Sequence, residues 1–497
     1  MDTTQTRDLS GLVGCVPGEP TSLVNQLAKH IREQAITCCL WKGTFDLGKT
    51  LRGEKDVDLL VSRADRNRLL GVLRQLNFKQ AESHQVVSLP GCSNHFGYDA
   101  PSGGFLHVHL HDTIICGRPL ENLYRLPWEE EYLATSQPGT VLPIPTPEFE
   151  LIVFCLRMAL APVNASISRW KFFRPLNMTL RRQQEFDYLY SRIDRTVLYE
   201  HLERHCPAII PIFEEFSDGL ACGHVPRRLH IQMKRHLRRF YVRRGCRSWW
   251  NRLSFRIRRA VEIRLLCRLP DKQRFVAGGL IVAFVGGDGS GKTTNINLVL
   301  RWLRKYFDVQ TFHLGRPRRS VVTQVIRGML KIGRGALRVL RSLGFQSSTE
   351  SSLSPLWWHY CVARDRNYLC RRARRMAAQG LIVVCDRWPL PNVMSMDGPQ
   401  IRRSIDEAQT RKFFSWLADR EERYYRSFCE PDCQIVLKLD PEIAQQRKPE
   451  EDAEFVFARG SEVHNVRWEE TTAQVIDAGL PLDRVQAKVK ECVWNSL

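Results

Sequence analysis

A glycine-rich stretch in the second half of the chain has residue types and spacing suited to holding phosphate. The segment VGGDGSGKTTN, residues 285–295, follows the apolar run LIVAF and precedes the helix-like run INLVLRWLRKYF. Residues 286–293 fit the pattern GxxxxGK[ST], in the order of strand, turn and helix that this pattern requires. The alternative is a glycine-rich turn with a chance lysine, and the matching context disfavours it. The stretch therefore predicts a site for ATP or GTP.

Each residue type in this turn has a chemical reason. Glycines let backbone amides curl around an anion, and the following helix directs its N-terminal amides and positive dipole end at the same oxygens. Lys292 is placed to reach the β- and γ-phosphates, and the Thr293 hydroxyl is placed to bind Mg²⁺. The predicted nucleotide-binding residues are Gly286, Gly287, Asp288, Gly289, Ser290, Gly291, Lys292, Thr293 and Thr294.

A carboxylate and an arginine follow another apolar run. Asp386 and Arg387 come directly after LIVVC, which has the composition of a buried strand. Ligands of parallel sheets bind at the carboxyl ends of the strands. Asp386 can hold Mg²⁺ directly or through water there, and Arg387 can clamp a phosphate with two hydrogen bonds. An Asp-Arg pair alone is a weak signal, and its position at a strand end strengthens it.

A charged segment follows the last predicted strand. In LDPEIAQQRKPEEDAEFVFAR, residues 439–459, the cations Arg447, Lys448 and Arg459 follow Asp440. Such a segment can close over a bound nucleotide and neutralise charge during phosphoryl transfer. An exposed charged loop explains this segment almost as well.

The order of predicted elements indicates the α/β class. Residues 1–145 read as a small α/β unit, residues 146–275 as a helical and basic connector, and residues 276–497 as strands alternating with helices. Prolines cluster at residues 137–150 and mark the first boundary. Short, nearly continuous apolar strands separated by helices predict a parallel sheet with helices on both faces. The strands predicted in this last part are LIVAFVGG, VQTFHLG, LIVVCDRW and CQIVLKLD.

The net charge of +21 is unevenly distributed. Residues 227–268 contain fifteen Lys or Arg and a single acid, Glu262, with apolar residues at helical spacing between the cations. A basic amphipathic helix can lie on an anionic membrane surface, hold nucleic acid or pack against acidic neighbours. A solvated helical connector is an equally good interpretation, so the charge identifies no partner.

Other features of the sequence bear on the cellular compartment in which the protein is expected. No apolar run reaches the roughly 18 residues that a membrane helix needs. The start, MDTTQTRDLSGLVG, has no apolar signal core. The 16 cysteines form no CxxC pair, which favours reduced thiols over a disulfide framework. We therefore expect a cytoplasmic protein.

With these motifs in place, residues 278–497 resemble thymidylate kinase. The resemblance rests on FVGGDGSGKTT, on VARDRNYLCRRARRMAAQGLIVVCDRW and on LKLDPEIAQQRKPE. It implies a parallel sheet with a mobile lid, transfer of the ATP γ-phosphate to a nucleoside monophosphate, and Asp288 as the acidic residue of the phosphate loop. It also implies that Arg366 and the Asp386-Arg387 pair face the acceptor. This phosphate loop carries no arginine, so the resemblance implies a catalytic arginine in the lid, with Arg447 and Arg459 as candidates.

Departures from the family pattern concern the acceptor. Val362 stands where the family usually has a phenylalanine that stacks on thymine. The family sequence after its Asp-Arg pair is replaced by DRWPLPNVMSMDGPQI, and its EPGGT loop by HLGRP. Aromatic stacking on a base contributes about 1–3 kcal/mol, and a valine offers little of it. Transfer of phosphate from ATP is thus better supported than conversion of dTMP to dTDP, the family default.

The amino-terminal part resembles nucleotidyltransferases through LWKGTFDLGKTLRGEKDVDLLVS, which has a glycine beside a small hydroxyl residue and then DxD on a strand. Asp56 and Asp58 share one face of that strand and can hold the two metals of nucleotidyl transfer. The matching strand, FLHVHLHD, carries His107, His109 and His111 in place of the third carboxylate that active members need. Three alternating histidines can bind a metal, but such residues more often form the polar face of a strand. The resemblance implies a nucleotidyltransferase-like domain, either active or retained as a binding module.

Three hypotheses remain open from the sequence. The leading one is an ATP- and Mg²⁺-dependent kinase acting on a nucleotide or another phosphorylated small molecule. The second is a nucleotide-binding regulator that phosphorylates no acceptor, and the third is nucleotidyl transfer by the amino-terminal domain. The sequence also leaves a homodimer open.

Overall fold

In the computed structural model, the chain divides into two compact units, Met1–Asp271 and Lys272–Leu497. The structure describes residues 20–83, 89–117, 123–160, 176–242, 254, 257, 272–315, 317, 319–342, 353–389, 398–404, 412–450 and 452–497.

The first unit contains a mixed sheet in which five of its strands run in the order β1-β2-β5-β4-β3. Its central pair, β2 and β5, is parallel, and the pairs β1-β2, β4-β5 and β3-β4 are antiparallel. Two short antiparallel pairs, β6-β7 and β8-β9, complete its described strands. The strands are β1 (Cys38–Leu40), β2 (Val57–Val61), β3 (Lys79–Ser83), β4 (Cys92–Asp99), β5 (Gly104–His111), β6 (Ile114–Gly117), β7 (Leu123–Leu126), β8 (Leu176–Asn177) and β9 (His224–Val225).

The helices of the first unit bury apolar stripes at helical spacing. In Ser22–Glu33, for example, Thr21 caps the N-terminus by accepting from the Val24 N–H, and the buried residues recur every three or four positions. The α-helices are Ser22–Glu33, Leu47–Leu51, Arg66–Gln75, Glu129–Ala134, Pro147–Leu160, Leu180–Tyr190, Arg195–His205, Ile210–Ala221 and Arg227–His236.

The helix Pro147–Leu160 is buried on almost its whole circumference. Its side chains share one hydrophobic cluster with Trp41 and Tyr132 from the α/β part and with Phe213 from a later helix. Residues of the predicted first and middle segments thus contribute to one core. The predicted boundaries at 145/146 and 275/276 stay predictions.

The second unit is built on a five-stranded sheet with the order β12-β13-β11-β14-β15. Each neighbouring pair is parallel, as the alternation of apolar strands and helices predicts. The strand before the glycine-rich turn, β11, is central and buried along its whole length, because helices cover both faces of such a sheet. The strands are β10 (Gln273–Phe275), β11 (Leu280–Gly286), β12 (Val309–His313), β13 (Ile382–Asp386), β14 (Cys433–Lys438) and β15 (Gln474–Asp477).

The helices of this unit connect the strands and complete a mixed α/β architecture compatible with a P-loop fold. The first of them begins at Lys292 and buries Ile296, Val299 and Leu303 on one stripe. The α-helices are Lys292–Leu303, Val321–Ser342, Leu353–Ala378, Lys412–Arg426, Pro441–Arg447, Ala453–Asn465 and Leu482–Asn495.

Only the start of the basic stretch is described. Its first part forms the helix Arg227–His236, which buries Leu229, His230 and Met233 and exposes Arg228 and Arg235. Residues 243–268, apart from 254 and 257, lie outside the described residues, so nucleic-acid or membrane binding by this stretch stays a prediction. Among the helices that the structure describes, none is long and apolar enough to cross a membrane.

Candidate phosphate site and acceptor cavity

The glycine-rich turn connects the central strand β11 to the helix that begins at Lys292. Gly289 and Gly291 both have a φ of 81°, in the left-handed region that glycine adopts without strain. A Cβ on Gly289 would lie 2.8 Å from the carbonyl oxygen of Ala444. Glycine is therefore needed at position 289 for both its backbone angle and its close packing.

Lys292 and Ser290 point into the turn. The Lys292 ammonium donates to the Gly287 carbonyl oxygen at 2.6 Å, and the Ser290 hydroxyl donates to the same oxygen at 2.8 Å. Lys292 is only 9% exposed. Burial lowers the pKa of Lys292 to about 8, partly opposed by the nearby Asp288 carboxylate. The turn thus holds its lysine at the place where a phosphate would contact it.

Asp288 gathers cations from three different parts of the chain. Its carboxylate oxygens lie 3.0 Å from a guanidinium nitrogen of Arg459, 3.4 Å from one of Arg387 and 4.0 Å from the Lys292 ammonium. Burial opposes ionisation of Asp288, but its pKa is lowered by these three cations. The arrangement concentrates positive charge beside the phosphate-binding turn.

Asp386 and Arg387 lie at the end of β13, beside β11 in the sheet. Arg387 has a φ of 66°, which is strained for a residue other than glycine, and its backbone N–H donates to the Phe284 carbonyl at 3.0 Å. One oxygen of Asp386 is 3.8 Å from His313 Nδ1, and the other is buried without a hydrogen-bond partner among the described residues. A buried carboxylate oxygen of this kind fits a hard divalent cation such as Mg²⁺.

These groups surround one cavity of about 460 Å³. The predicted residues Arg447 and Arg459 reach it from the charged segment, and Arg447 also donates to the Ala478 carbonyl at 3.2 Å. Its lining is Asp288, Gly289, Gly291, Lys292, Thr293, Thr294, His313, Gly315, Asp386, Arg387, Arg447, Lys448 and Arg459. The predicted Gly286, Gly287 and Ser290 form the buried base of the turn and are absent from this lining.

Three residues of this cavity, His313, Gly315 and Lys448, were not among the predicted site residues. Lys448 neighbours Arg447 in the charged segment, and that position was its only sequence signal. His313 ends β12 and is paired in register with Asp386 on the adjacent strand. Strand order alone brings that histidine to the site, and it cannot be read from local spacing.

A second cavity, of about 500 Å³, adjoins the first, since Gly315 lines both. Arg366, predicted to face the acceptor, lines it and is 5% exposed. Its guanidinium donates to the carbonyls of Leu314 at 2.7 Å and Gly315 at 3.2 Å, and to the Tyr425 hydroxyl at 2.6 Å. The cavity lining is Gly315, Pro317, Arg319, Trp358, His359, Val362, Arg366, Gly398, Gln400, Glu421 and Tyr425.

Glu421 adds a carboxylate to this second cavity that sequence reasoning missed. It is 1% exposed and accepts from the backbone N–H groups of Gln400 at 3.1 Å and Ile401 at 2.8 Å. Burial raises the pKa of Glu421, opposed by these two hydrogen bonds. Nothing in the surrounding sequence distinguishes it from other acids of the helix Lys412–Arg426.

In the first unit, β2 and β5 bring the predicted aspartates beside the three histidines. Asp58 pairs in register with His109. The Lys42 ammonium also lies 2.9 Å from Asp58. Asp112, after β5, is 2.8 Å from Arg66. The strand β5 itself has no carboxylate, so the third acid expected of an active nucleotidyltransferase is missing from it.

The glycine and hydroxyl residue of the same motif are Gly43 and Thr44. The Thr44 backbone N–H donates to Glu150 at 3.0 Å, and its hydroxyl donates to the other oxygen of that carboxylate. Glu150 is 3% exposed, and burial raises its pKa. Thr44 thus donates both its backbone N–H and its hydroxyl to Glu150, rather than presenting them to a nucleotide.

Comparisons with known proteins cover less than half of the chain. A scan against known protein families finds no match. The chain is 27% identical over 221 residues to the uncharacterized ATP-binding protein YghR of Escherichia coli, covering 43% of this chain and 86% of that protein. It is 24% identical over 227 residues to thymidylate kinase of Symbiobacterium thermophilum, covering 44% of this chain and 94% of that enzyme. It is 28% identical over 172 residues to thymidylate kinase of Caldicellulosiruptor saccharolyticus, covering 34% of this chain and 69% of that enzyme. These likenesses support a P-loop kinase-like region in this chain.

Proposed function

We propose that the second unit is an ATP-dependent phosphotransferase that transfers the γ-phosphate to a nucleoside monophosphate or a related phosphorylated acceptor. The observation that carries this proposal is the convergence of Lys292, Arg387 and Arg459 on Asp288, in a cavity that meets a second one at Gly315. The cavity beside the glycine-rich turn suits the donor triphosphate, and the cavity around Arg366 suits the acceptor.

The proposed roles follow from charge and position. Phosphoryl transfer needs positioning and neutralisation of charge more than covalent work by the protein. Lys292 and the amides of the turn would hold the β- and γ-phosphates, while Arg387, Arg447 and Arg459 would neutralise charge on the transferring group. Mg²⁺, when bound, would supply further positive charge beside the phosphates. Thr293 and Asp386 would hold it.

Before the nucleotide binds, Asp288 would be the anionic partner of the cations that later contact phosphate. Its carboxylate holds the cations of Arg459 and Arg387 beside the turn. An entering triphosphate offers these guanidinium groups more negative charge than one carboxylate does. The same cations can therefore move from Asp288 to phosphate with little reorganisation, which favours transfer.

We propose the acceptor as a chemical class, a phosphorylated small molecule. Arg366 and Arg319 give the second cavity a basic character, which supports a phosphorylated acceptor. Val362 lines it where thymidylate kinases usually have a stacking phenylalanine, although Trp358 also contributes an aromatic ring. A nucleoside monophosphate remains the leading acceptor, with dTMP as the family default.

Acceptor-dependent release of ADP tests this proposal. The purified full chain would be given ATP, Mg²⁺ and each member of a panel of nucleoside monophosphates and sugar phosphates. We expect one acceptor class to stimulate ADP release, and we expect Lys292→Ala to abolish it. Lys488→Ala, which removes an exposed lysine of the last helix, is the matched control and should retain full turnover.

Two outcomes would contradict the proposal. Equal turnover by Lys292→Ala and the unmodified protein, with both folded, would remove the turn from the mechanism. Tight ATP binding with no acceptor-stimulated release across the panel would favour the nucleotide-binding regulator.

A further inference from the structure

The aspartate–histidine cluster of the first unit consists of Asp56 and Asp58 on β2 and of His107, His109 and His111 on β5. A nucleotidyltransferase would hold Mg²⁺ here through carboxylates, since that ion prefers oxygen ligands. The cluster does not fit such an ion. It offers two carboxylates and three imidazoles, and β5 contributes no acid.

Two distances around Asp58 match the spacing of ligands around a tetrahedral metal. Its Oδ1 lies 3.3 Å from His109 Nδ1 and 3.6 Å from His111 Nε2. Metal–ligand bonds of about 2.0–2.1 Å place neighbouring tetrahedral ligand atoms about 3.3 Å apart. The ligand atoms that Asp58, His109 and His111 offer all lie within 4.8 Å of one another, so the three side chains converge on one small space.

A second carboxylate supports the outer side of this group. Asp56 Oδ1 lies 2.9 Å from His107 Nδ1, within hydrogen-bond distance, whereas its Oδ2 lies 3.8 Å from His109 Nε2. The His107 ring packs edge-on against the His109 ring, with centroids 4.2 Å apart. Asp56 is thus placed to orient His109 through His107 rather than to bind the same ion.

The cluster also has a soft donor at its edge. Cys92, on β4, places its sulfur 3.7 Å from His111 Nε2. Cys92 and His111 face each other in the β4–β5 register. Imidazole and thiol donors favour zinc and similar metals over Mg²⁺.

We propose that Asp58, His109 and His111 form a binding site for a borderline transition-metal ion of the Zn²⁺ type, with Asp56 as a positioning residue. This inference concerns the first unit and is independent of the proposed phosphotransfer. It assigns the nucleotidyltransferase-like strands a metal site of different chemistry from the one their sequence motif implies.

The Lys42 ammonium competes for this site. It lies 2.9 Å from Asp58 Oδ1, and its side chain is 23% exposed, so it can swing into solvent when a metal ion arrives. Removing its charge should therefore strengthen metal binding. A purely structural network of histidines and aspartates makes no such prediction.

The chain supplies its own control cluster. Glu131, His201 and His205 also place ligand atoms within 4.8 Å of one another. There, however, Arg204 lies 2.7 Å from Glu131, and the His201 ring lies against Phe149 with its centroid 4.1 Å away. His205→Gln at this control cluster should leave the proposed site intact.

The test is competition for Zn²⁺ between the purified full chain and a chromogenic chelator, with Mg²⁺ in large excess. We expect His109→Gln to lose one zinc equivalent, and Asp56→Asn, which releases the His107 ring that packs against His109, to weaken that equivalent. Lys42→Met should tighten it, and His205→Gln should match the unmodified protein. Circular dichroism would check that each variant is folded.

Three results would overturn the inference. One is the same zinc stoichiometry and affinity in His109→Gln as in the unmodified protein. Another is loss of the zinc equivalent in His205→Gln alone. The third is unchanged affinity in folded Lys42→Met, which would refute the proposed displacement of the ammonium even if His109→Gln were misfolded.

Discussion

Raising the pH should weaken ATP binding because it discharges Lys292. Burial lowers the pKa of this lysine to about 8, whereas an unperturbed lysine titrates near 10.4. A bound triphosphate favours the charged ammonium. ATP therefore binds the form of the free protein in which Lys292 is protonated. With a pKa of about 8, roughly 10/11 of the free protein carries the charge at pH 7, and roughly 1/11 does at pH 9. Affinity should therefore fall about tenfold between these values, or about 1.4 kcal/mol.

The sign of this effect is set by the direction of the shift. Binding of ATP needs the charged form of Lys292, whose pKa in the free protein is about 8. The affinity for ATP therefore falls as the pH rises through that pKa. The loss should level off once the pH reaches the higher pKa that Lys292 has beside bound phosphate.

The assay is the Kd of ATP, measured by calorimetry at constant ionic strength from pH 7 to pH 9. Lys292→Arg is the matched control, because a guanidinium keeps its charge throughout this range. Its affinity should start lower, since the shape of the site changes, and should stay flat with pH. A flat profile in the unmodified protein would refute the reasoning. An identical decline in Lys292→Arg would assign the titration to another group.

The remaining predictions concern the turn, the charged segment and the acceptor cavity. Gly289→Ala should destabilise the second unit by about 1–3 kcal/mol in chemical denaturation, whereas Gly328→Ala, on an open helical face, should stabilise it by up to about 1 kcal/mol. Equal effects of the two would contradict the assigned turn geometry. Arg459→Ala should lower kcat by on the order of 10³, and the exposed control Arg467→Ala should not. Similar rates for both would remove the lid arginine from the mechanism. Val362→Phe should improve use of dTMP by at most about tenfold in steady-state assays, because one imperfect stacking contact supplies about 1–1.4 kcal/mol. Efficient use of dTMP by the unmodified protein, with slowing by the substitution, would indicate that Trp358 or Tyr360 already supplies the ring.

Local patterns in the sequence were sufficient to predict four strands of the second unit, but not β10 or the edge strand β15. The four apolar runs predicted as strands form β11, β12, β13 and β14, and each pairs in parallel with its neighbours. The glycine spacing likewise predicted a turn between a strand and a helix, because backbone angles and periodicity are properties of a few adjacent residues. The strands DVDLLVS and FLHVHLHD of the first unit were predicted for the same reason and form β2 and β5.

The sequence also identified most groups around the phosphate site, but it did not pair them. Arg459 lies 171 residues from Asp288, yet their side chains meet at 3.0 Å. His313 reaches Asp386 only because β12 is the neighbour of β13. These pairings depend on the order of strands in the sheet, which periodicity does not contain.

The aspartate–histidine cluster shows most clearly what the sequence determined and what the tertiary structure decided. Because side chains alternate along a strand, the sequence by itself determined that Asp56 and Asp58 share one face of their strand. For the same reason it determined that the three histidines share one face of theirs. Only the tertiary structure decided that β2 and β5 are adjacent, that Asp58 faces His109, and that the Lys42 ammonium reaches the same carboxylate. Charge neutralisation and metal-ligand spacing depend on distances of 3–4 Å between residues far apart in the chain. Such distances are fixed by packing, and no local pattern of residues specifies them.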